Sequence, residues 1–245
     1  MEAMILAAGL GTRLAPLTDA VPKALVTVRG RPLLAHVMDR LVAAGATRLI
    51  VNTSRHGGQI ARYLEEHAPP GVEILVSSEP DGPYDTGGGF LAAAHLFRGD
   101  GPILLHAVDV LSRVPLEALL ARHRLARERL GSRVLGTLAV QDRPASRRLL
   151  FDDQGLMGWE HRGAGGSRRV REPVGAVRDF AFAGIHVVEP EILGLDERTG
   201  VFPIRELYLD LAAKGYRIEP ANVTAHAWQD VGTPERLREA EAGSW

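Results

Sequence analysis

Cysteine is absent from this chain of 245 residues. Its absence excludes disulfides, thiolate metal sites and cysteine nucleophiles together. Lysine is nearly absent as well: the chain has only Lys23 and Lys214, and arginine supplies the other 27 of its 29 basic side chains. We expect a chain with so few lysines to keep one where a compact ammonium group is required.

Long apolar runs and an excess of one charge are also missing. No apolar run approaches the roughly 20 residues that a membrane-spanning helix needs. The apolar N-terminal run has no basic flank and reaches Gly-x-Gly within 11 residues, which indicates a strand and turn rather than a signal peptide. The formal net charge is -1 and the basic residues are dispersed, unlike those of nucleic-acid or membrane-surface proteins. We therefore expect a soluble, cytoplasmic protein with small-molecule partners, and the pattern gives no indication of an oligomeric state.

What is present is the pattern of a globular α/β protein. Hydrophobic residues make up 45% and charged residues 24%, which is enough apolar material for a core. The first half alternates predicted strands at 3–8, 48–52, 72–76 and 102–108 with predicted helices at 32–44, 58–67 and 90–97. This alternation favours a parallel, doubly wound sheet with right-handed crossovers.

The second half has a different pattern of shorter elements. We predict helices at 116–130, 203–213 and 234–242, and strands at 134–140, 148–151, 156–160 and 180–188. Residues 161–179 are rich in glycine and arginine and predict a loop or a hairpin tip. Since no linker or repeat separates the halves, we expect one domain.

The first strand runs into the segment AAGLGTRLAPLT at 7–18, with Pro22-Lys23 shortly after it. Glycines there allow a sharp turn and close approach of a bulky ligand, and the N–H groups of such a turn bind phosphate oxygens. Arg13 and Lys23 add positive charge beside those oxygens. The candidate phosphate-binding residues in the turn are Ala7, Ala8, Gly9, Gly11 and Thr12. The alternative is a glycine turn with surface cations.

Two other glycine motifs do not fit this segment. A dinucleotide fingerprint needs a third glycine where Leu14 stands, and an acidic residue near position 30. A P-loop needs Gly-Lys-Ser/Thr after four intervening residues, which this segment lacks. The sequence therefore argues against a Rossmann dehydrogenase and a P-loop nucleotidase.

Two aspartates follow in positions that suit ligand or metal binding. Asp109 comes directly after the apolar strand at 102–108, at the edge where open α/β sheets bind ligands. Asp230 lies in WQDVGTP, just before Thr233-Pro234, a plausible helix start. Two carboxylates suit Mg²⁺, which completes its shell with phosphate oxygens and water. The alternatives are a turn cap for Asp109 and a helix entry for Asp230.

Taken together, these motifs resemble the nucleotidyltransferase family that activates sugar 1-phosphates. Its members include the glucose-1-phosphate, mannose-1-phosphate and N-acetylmuramate-1-phosphate enzymes. The resemblance covers nearly the whole chain and implies a single Rossmann-like, three-layer α/β/α domain with a mixed, mainly parallel sheet. It also implies a nucleotide-binding half at 1–110 and a sugar-phosphate-binding half at 111–245.

The resemblance implies a role for each matching residue. Arg13, Lys23 and Asp109 would be catalytic, and Asp109 and Asp230 would bind Mg²⁺. Val108 stands where family members usually have glycine. The segment DTGGG at 85–89 resembles ETGGG of the N-acetylmuramate-1-phosphate enzymes and is expected to border the base at a helix entry, or to be a structural turn. The residues implied for the base and the sugar are Glu79, Thr86, Gly87 and Gly88, then Gly184 in FAGIH, Glu189 and Asn222.

The expected reaction follows from this resemblance. A nucleotidyl group passes from a nucleoside triphosphate to a sugar 1-phosphate, and pyrophosphate leaves; DTGGG favours UTP with N-acetylmuramate 1-phosphate or a related hexose 1-phosphate. The alternatives are GTP with mannose 1-phosphate, a transferase for phosphocholine or a molybdenum cofactor, and a non-catalytic nucleotide-sugar-binding protein.

Overall fold

The structure is a computed structural model that describes residues 1–163, 165–243 and 245. The strands in chain order are β1 (Glu2–Leu6), β2 (Thr27–Val28), β3 (Arg31–Pro32), β4 (Arg48–Thr53), β5 (Glu73–Ser78), β6 (Ile103–Ala107), β7 (Val110–Ser112), β8 (Val134–Gln141), β9 (Arg147–Asp152), β10 (Gly155–His161), β11 (Ser167–Arg169), β12 (Arg178–Val188), β13 (Arg217–Asn222) and β14 (Trp228–Asp230). The α-helices are α1 (Leu17–Ala20), α2 (Leu33–Ala43), α3 (Gly57–Glu66), α4 (Asp85–Ala92), α5 (Leu116–Leu130), α6 (Ile204–Ala213) and α7 (Pro234–Ala242).

The central sheet has the order β13-β8-β12-β6-β1-β4-β5. Strand β12 is antiparallel to both of its neighbours, and the other six strands run in one direction. The first residues of β12 also pair with β9, which begins the antiparallel extension β9-β10-β11. The predicted mixed, mainly parallel α/β sheet is confirmed.

Apolar clusters cover both faces of the sheet, which explains the continuous apolar runs in β1 and β6. One cluster includes Leu33, Ile60 and Leu116 and joins α2, α3 and α5 to the sheet. The other includes Phe90 and Tyr208, from α4 and α6. This gives the predicted three layers. None of the described helices has both the length and the apolar character needed to cross a membrane.

Most predicted elements form within two residues of the expected bounds, and α5 and α7 match them fully. The clearest difference is α4, which begins at Asp85 instead of residue 90, so the glycine triplet lies inside the helix. The predicted loop or hairpin tip at 161–179 contains β11, which pairs antiparallel with β10, and residue 164 lies outside the described residues. Elements that sequence reasoning missed are α1, β2, β3, β7, β11, β13 and β14.

The direction of the strands positions the site. The carboxyl ends of β1, β4, β6 and β8 meet at one edge of the sheet. In open α/β sheets this edge is where ligands bind.

Candidate active site

The turn after β1 is held in a compact conformation. Gly11 has a φ of 66° and precedes a short 3-10 helix at Thr12–Leu14. Its carbonyl accepts a hydrogen bond from Thr18 Oγ1 at 2.8 Å. A Cβ atom on Gly11 would lie 3.1 Å from Cβ of Lys23 and 3.0 Å from Thr18, so both the φ and the packing favour glycine. Thr12 and Arg13 remain exposed.

A chain of buried hydrogen bonds fixes the start of the same turn. The Ala7 amide donates to Oδ1 of Asn52, and Nδ2 of Asn52 donates to Oε1 of Glu79, both at 2.6 Å. The Tyr84 amide donates to Oε2 of Glu79 at 2.6 Å. Glu79 is 1% exposed, and burial raises its pKa. The prediction is that Glu79 reads the edge of the base. In the structure its carboxylate instead ties the turn to the segment before α4.

Lys23 and Asp109 form the central ion pair of the site. Lys23 Nζ donates to Oδ2 of Asp109 at 2.5 Å. The lysine is 8% exposed, whereas 29% of the Asp109 side chain is exposed. Val108, which replaces a glycine of the family pattern, is 4% exposed and belongs to the apolar core. The pair thus joins the segment after β1 to the end of β6.

The pairing of β14 with β7 places Asp230 opposite Val110, the residue after Asp109. The amide of Val231 donates to the carbonyl of Asp109 at 2.7 Å. The Asp230 carboxylate accepts a hydrogen bond from the Gly232 amide at 3.2 Å and pairs with Arg236 of α7. Helix α7 begins at Pro234 as predicted, and Thr233 caps it by accepting a hydrogen bond from the Arg236 amide.

The two aspartates suit a magnesium ion. Both carboxylates are partly exposed and line the same cavity. The described part of the chain has no group of three or more His, Cys, Asp or Glu side chains that could hold a metal. An ion at Asp109 and Asp230 would therefore draw its other ligands from water and phosphate, as Mg²⁺ commonly does.

Two cavities open beside Asp109. The larger has a volume of about 370 Å³ and the smaller about 170 Å³. The smaller is lined by the turn residues Ala8 and Gly9 and by Lys23. Both cavities share the residues Leu6, Asp85, Thr86, Ala107 and Asp109. A ligand in one cavity would meet a ligand in the other cavity at the Asp109 carboxylate.

The larger cavity contains arginines that sequence reasoning did not single out. Arg143 lies 4.1 Å from the ring centre of Trp228, and its Nε donates to Gln141 Oε1 at 3.1 Å. Burial lowers the pKa of Arg143, and no carboxylate pairs with it among the described residues. Arg147 and the predicted Arg13 line the same cavity. The cavity therefore presents positive charge to a ligand.

Of the three residues predicted to bind the sugar, the structure brings only Gly184 to the cavity. Its φ is 74°, and a Cβ there would lie 3.1 Å from Val110. Glu189 follows the antiparallel β12, so it lies at the opposite edge of the sheet, where it binds Nε2 of His123 at 2.9 Å. Asn222 is exposed, lines neither cavity, and accepts a hydrogen bond from the Thr224 amide at 2.9 Å. These two placements differ from the prediction.

The glycine triplet is packed against protein. Gly87 and Gly88 both donate their amides to the carbonyl of Phe202, at 2.9 and 3.2 Å. A Cβ on Gly88 would overlap the carbonyl oxygen of Gly200. Thr86 does line both cavities, but its Oγ1 accepts a hydrogen bond from the Ile204 amide at 2.9 Å. The triplet thus lets α4 approach the segment before α6, and Gly87 and Gly88 line neither cavity.

Comparison with known proteins gives consistent results. A family model described as nucleotidyl transferase matches residues 2–147. The chain is 32% identical to N-acetylmuramate alpha-1-phosphate uridylyltransferase of Neisseria meningitidis serogroup B, with 100% of both chains covered. It is also 32% identical to the protein of that name from Caulobacter vibrioides, covering 98% of this chain and 95% of the relative.

The fold is likewise similar to that of solved structures. UDP-glucose pyrophosphorylase of Acinetobacter baumanii superposes with a TM-score of 0.77, over 98% of this chain and 91% of that one. The two sequences are 20% identical, so this likeness shows a shared fold.

Proposed function

The chain belongs to the nucleotidyl transferase family, and we propose that it transfers a nucleotidyl group from a nucleoside triphosphate to a sugar 1-phosphate, releasing pyrophosphate. The family is the one that the motifs predict. Our preferred substrates are UTP and N-acetylmuramate 1-phosphate, because the two uridylyltransferase relatives align with nearly the whole chain. Since nucleoside triphosphates are the donors, we place the enzyme in the cytoplasm.

The observation that carries this proposal is the meeting of the two cavities at Asp109. A transfer between two bound molecules requires both reacting groups at one point, oriented for attack. We assign the smaller cavity, in the half at 1–110, to the triphosphate. We assign the larger, lined mainly by the half at 111–245, to the sugar 1-phosphate.

The turn after β1 supports the assignment of the triphosphate. Its backbone at Ala8 and Gly9 lines the smaller cavity together with Lys23. Backbone amides in such a turn, with a buried ammonium beside them, suit phosphate oxygens. Arg13 faces the larger cavity, where it would neutralise charge between the two substrates.

The arginines of the larger cavity support an anionic acceptor. Arg143 is half-buried, and its hydrogen-bond partners are neutral. An anion would stabilise a guanidinium in that position. Burial removes part of the guanidinium's hydration, and charge-assisted hydrogen bonds to the anion would compensate for that loss. The 1-phosphate or an acidic sugar substituent would supply that anion.

We further propose that Asp109 and Asp230 hold Mg²⁺. When bound, the ion supplies positive charge against the phosphate oxygens. The chain's own residues then have two tasks: Lys23 and Arg13 stabilise the charge that develops on the phosphates, and the Asn52–Glu79 contact holds the turn in place.

The reaction itself is a direct in-line displacement. An oxygen of the sugar 1-phosphate attacks the α-phosphorus and forms the new P–O bond, while the bond to the β-phosphate oxygen breaks and pyrophosphate leaves. The nucleophile is already an anion, so a strong general base is not needed. Catalysis therefore depends on positioning and electrostatic stabilisation.

The test is pyrophosphate release with purified protein, four nucleoside triphosphates and a panel of sugar 1-phosphates, with and without Mg²⁺. We expect release with UTP and N-acetylmuramate 1-phosphate, dependent on Mg²⁺ and reduced roughly 100- to 1,000-fold in Asp109→Asn. Asp100→Asn, at an exposed position, is the matched control. Release with GTP and mannose 1-phosphate would contradict the proposed substrates and identify these two in their place. Binding of a nucleotide sugar without release under any condition would refute the transferase and favour a binding protein.

A further inference from the structure

Each of the two aspartates proposed to hold Mg²⁺ is paired with a basic side chain. Oδ2 of Asp109 accepts a hydrogen bond from Lys23, and Oδ2 of Asp230 pairs with the guanidinium of Arg236. Lys23 lies in the segment after β1, whereas Arg236 lies in the first turn of α7, 6 positions after Asp230. The proposed transfer gives Lys23 a task at the phosphates but gives none to Arg236.

The position of Arg236 requires a partner of opposite charge. A cation in the first turn of a helix is disfavoured, because the amide groups there carry a partial positive charge. Among the described residues, Asp230 is the one carboxylate that pairs with this guanidinium. The Arg236 amide donates to Thr233 Oγ1 at 3.4 Å, and its carbonyl accepts from Gln229 Nε2 at 3.5 Å. A change of the side chain therefore removes the charge and leaves these backbone contacts in place.

The pair of Arg236 and Asp230 lies at the edge of the larger cavity. Asp230 lines the cavity and Arg236 does not, although 41% of the arginine side chain is exposed. Arg13 approaches the same carboxylate: a Cβ on Gly232 would lie 2.7 Å from Arg13 Nη2 and 3.1 Å from Asp230 Oδ1. The Asp230 carboxylate thus has one cation in contact and a second one nearby.

The walls of the two cavities add positive charge. Six basic side chains line them against three acidic ones, Asp85, Asp109 and Asp230. The basic ones are Arg13, Lys23, Arg143, Arg147, Arg148 and Arg205. Of these, Arg148 and Arg205 also pair with carboxylates that do not line either cavity. The cavities therefore attract anions, and a free divalent cation that enters them meets repulsion.

A free divalent cation and its complex with a triphosphate differ in charge. Mg²⁺ binds through few protein ligands and takes the others from phosphate oxygens and water. Two carboxylates that are each neutralised by a base attract the free ion only weakly. The complex of the ion with a triphosphate is still an anion, so the same basic side chains attract it. This charge balance favours entry of the ion together with the triphosphate.

We propose that Arg236 neutralises Asp230 and thereby prevents a divalent cation from binding at the two aspartates until the triphosphate arrives. This inference rests on the proposed Mg²⁺ site. Arg236 is a positioning residue, because it acts through Asp230 and lines neither cavity. The site is then one that does not retain cations without nucleotide.

Binding of Mn²⁺ to the nucleotide-free protein tests this role without turnover, because the EPR signal reports the unbound ion. The variants are Arg236→Gln, which removes the charge, and Arg236→Lys, which keeps it. Arg238→Gln is the matched control: it removes one charge from the same helix at a side chain that is 74% exposed and pairs with Glu235. Thermal unfolding of each variant in the presence of a chelator shows whether it is folded.

We expect Arg236→Gln to bind Mn²⁺ at least about tenfold more tightly than the wild type, because one unit charge is removed close to a divalent ion. Arg236→Lys and Arg238→Gln should bind it as the wild type does. Adding Asp230→Asn to Arg236→Gln should abolish the gain, which assigns the ion to this carboxylate. With a triphosphate that the enzyme uses, the wild type should retain Mn²⁺, as measured by water-proton relaxation.

Three results would overturn the inference. The wild type could bind Mn²⁺ without nucleotide as tightly as Arg236→Gln, Arg238→Gln could show the same gain, or the gain could survive Asp230→Asn. Failure of the proposed reaction is a separate outcome, in which no triphosphate and acceptor release pyrophosphate. The comparison of the variants with Mn²⁺ alone then still decides the role of Arg236.

Discussion

Lys23 Nζ lies 2.5 Å from Oδ2 of Asp109, a residue 86 positions further along the chain. The lysine is almost fully buried, and its partner faces both cavities. A cation suited to phosphate oxygens and a carboxylate suited to a metal ion are thus in direct contact. The ion pair therefore holds the Lys23 ammonium beside a residue that lines both cavities.

The first prediction concerns this lysine. Lys23→Ala should lower kcat/KM for pyrophosphate release roughly 100- to 1,000-fold, because the buried ammonium is lost from the phosphate site. The chain provides its own control: Lys214, the second of its two lysines, is exposed at the end of α6, so Lys214→Ala should retain wild-type activity. Near-normal turnover of Lys23→Ala would remove this residue from the mechanism.

The second prediction concerns Arg143. Arg143→Gln should raise the KM for the acceptor about tenfold and leave the KM for the triphosphate unchanged, because its guanidinium lines only the larger cavity. Arg122→Gln, on the exposed face of α5, is the control and should not change either constant. Equal changes in both KM values would contradict the assignment of the two cavities.

The third prediction concerns the packing of α4. Gly88→Ala should lower the free energy of unfolding by about 1–3 kcal/mol, because the added methyl overlaps the Gly200 carbonyl and approaches Tyr84. Gly58→Ala is the matched control within α3, since nothing lies within 4 Å of its Cβ position. That change should be neutral or stabilising, by up to roughly 1 kcal/mol. Urea denaturation of both variants tests the difference, and a neutral Gly88→Ala would disprove the close approach.

The fourth prediction concerns stability in acid. The hydrogen-bonded Arg171 guanidinium lowers the pKa of Asp152 from 3.8 to about 2. In the unfolded chain this carboxylate binds its proton at a higher pH than in the folded protein. Between about pH 4 and pH 2 the unfolded state therefore binds more protons than the folded state. Its contribution to stability is therefore complete above about pH 4 and is lost as the pH falls towards 2.

The variant Asp152→Asn tests whether Asp152 causes this loss of stability at low pH. The variant should be less stable at neutral pH and should lose less further stability between pH 4 and pH 2, as measured by thermal unfolding across that range. Asp100→Asn, at an exposed position, should keep the wild-type profile. A variant whose stability still falls as steeply as the wild type's would show that Asp152 is not the group responsible.

The sequence predicts the layers of the fold because the periodicity of buried strands and amphipathic helices is local. It does not predict β7 and β14, each of three residues, because they exist through pairing with each other. The predicted start of α4, at residue 90, is later in the chain than the observed start at Asp85 for a similar reason. Three glycines disfavour a helix by intrinsic propensity, but packing against residues 200–202 stabilises it.

The site shows the same division. Lys23 and Asp109 each lie in a short motif that can be read from neighbouring residues, and the structure brings the two motifs together. The resemblance implies a place for Glu189 in the sugar site, but β12 runs antiparallel to β6, and strand direction is not encoded in the alternation of residues. Arg143 was missed, although a cation just beyond the carboxyl end of β8 is the same positional signal that identified Asp109.

Two of the chain's three tryptophans, Trp159 and Trp228, line the larger cavity. Each indole lies beneath a guanidinium, that of Arg205 at 4.0 Å and that of Arg143 at 4.1 Å. Because indole emission responds to nearby charge and polarity, an acceptor that draws these arginines towards its own anions should change the intrinsic fluorescence. The third, Trp245, packs against His36 and does not line the cavity. These two indoles should therefore report occupancy of the proposed acceptor cavity, so that binding can be followed without a label and without turnover.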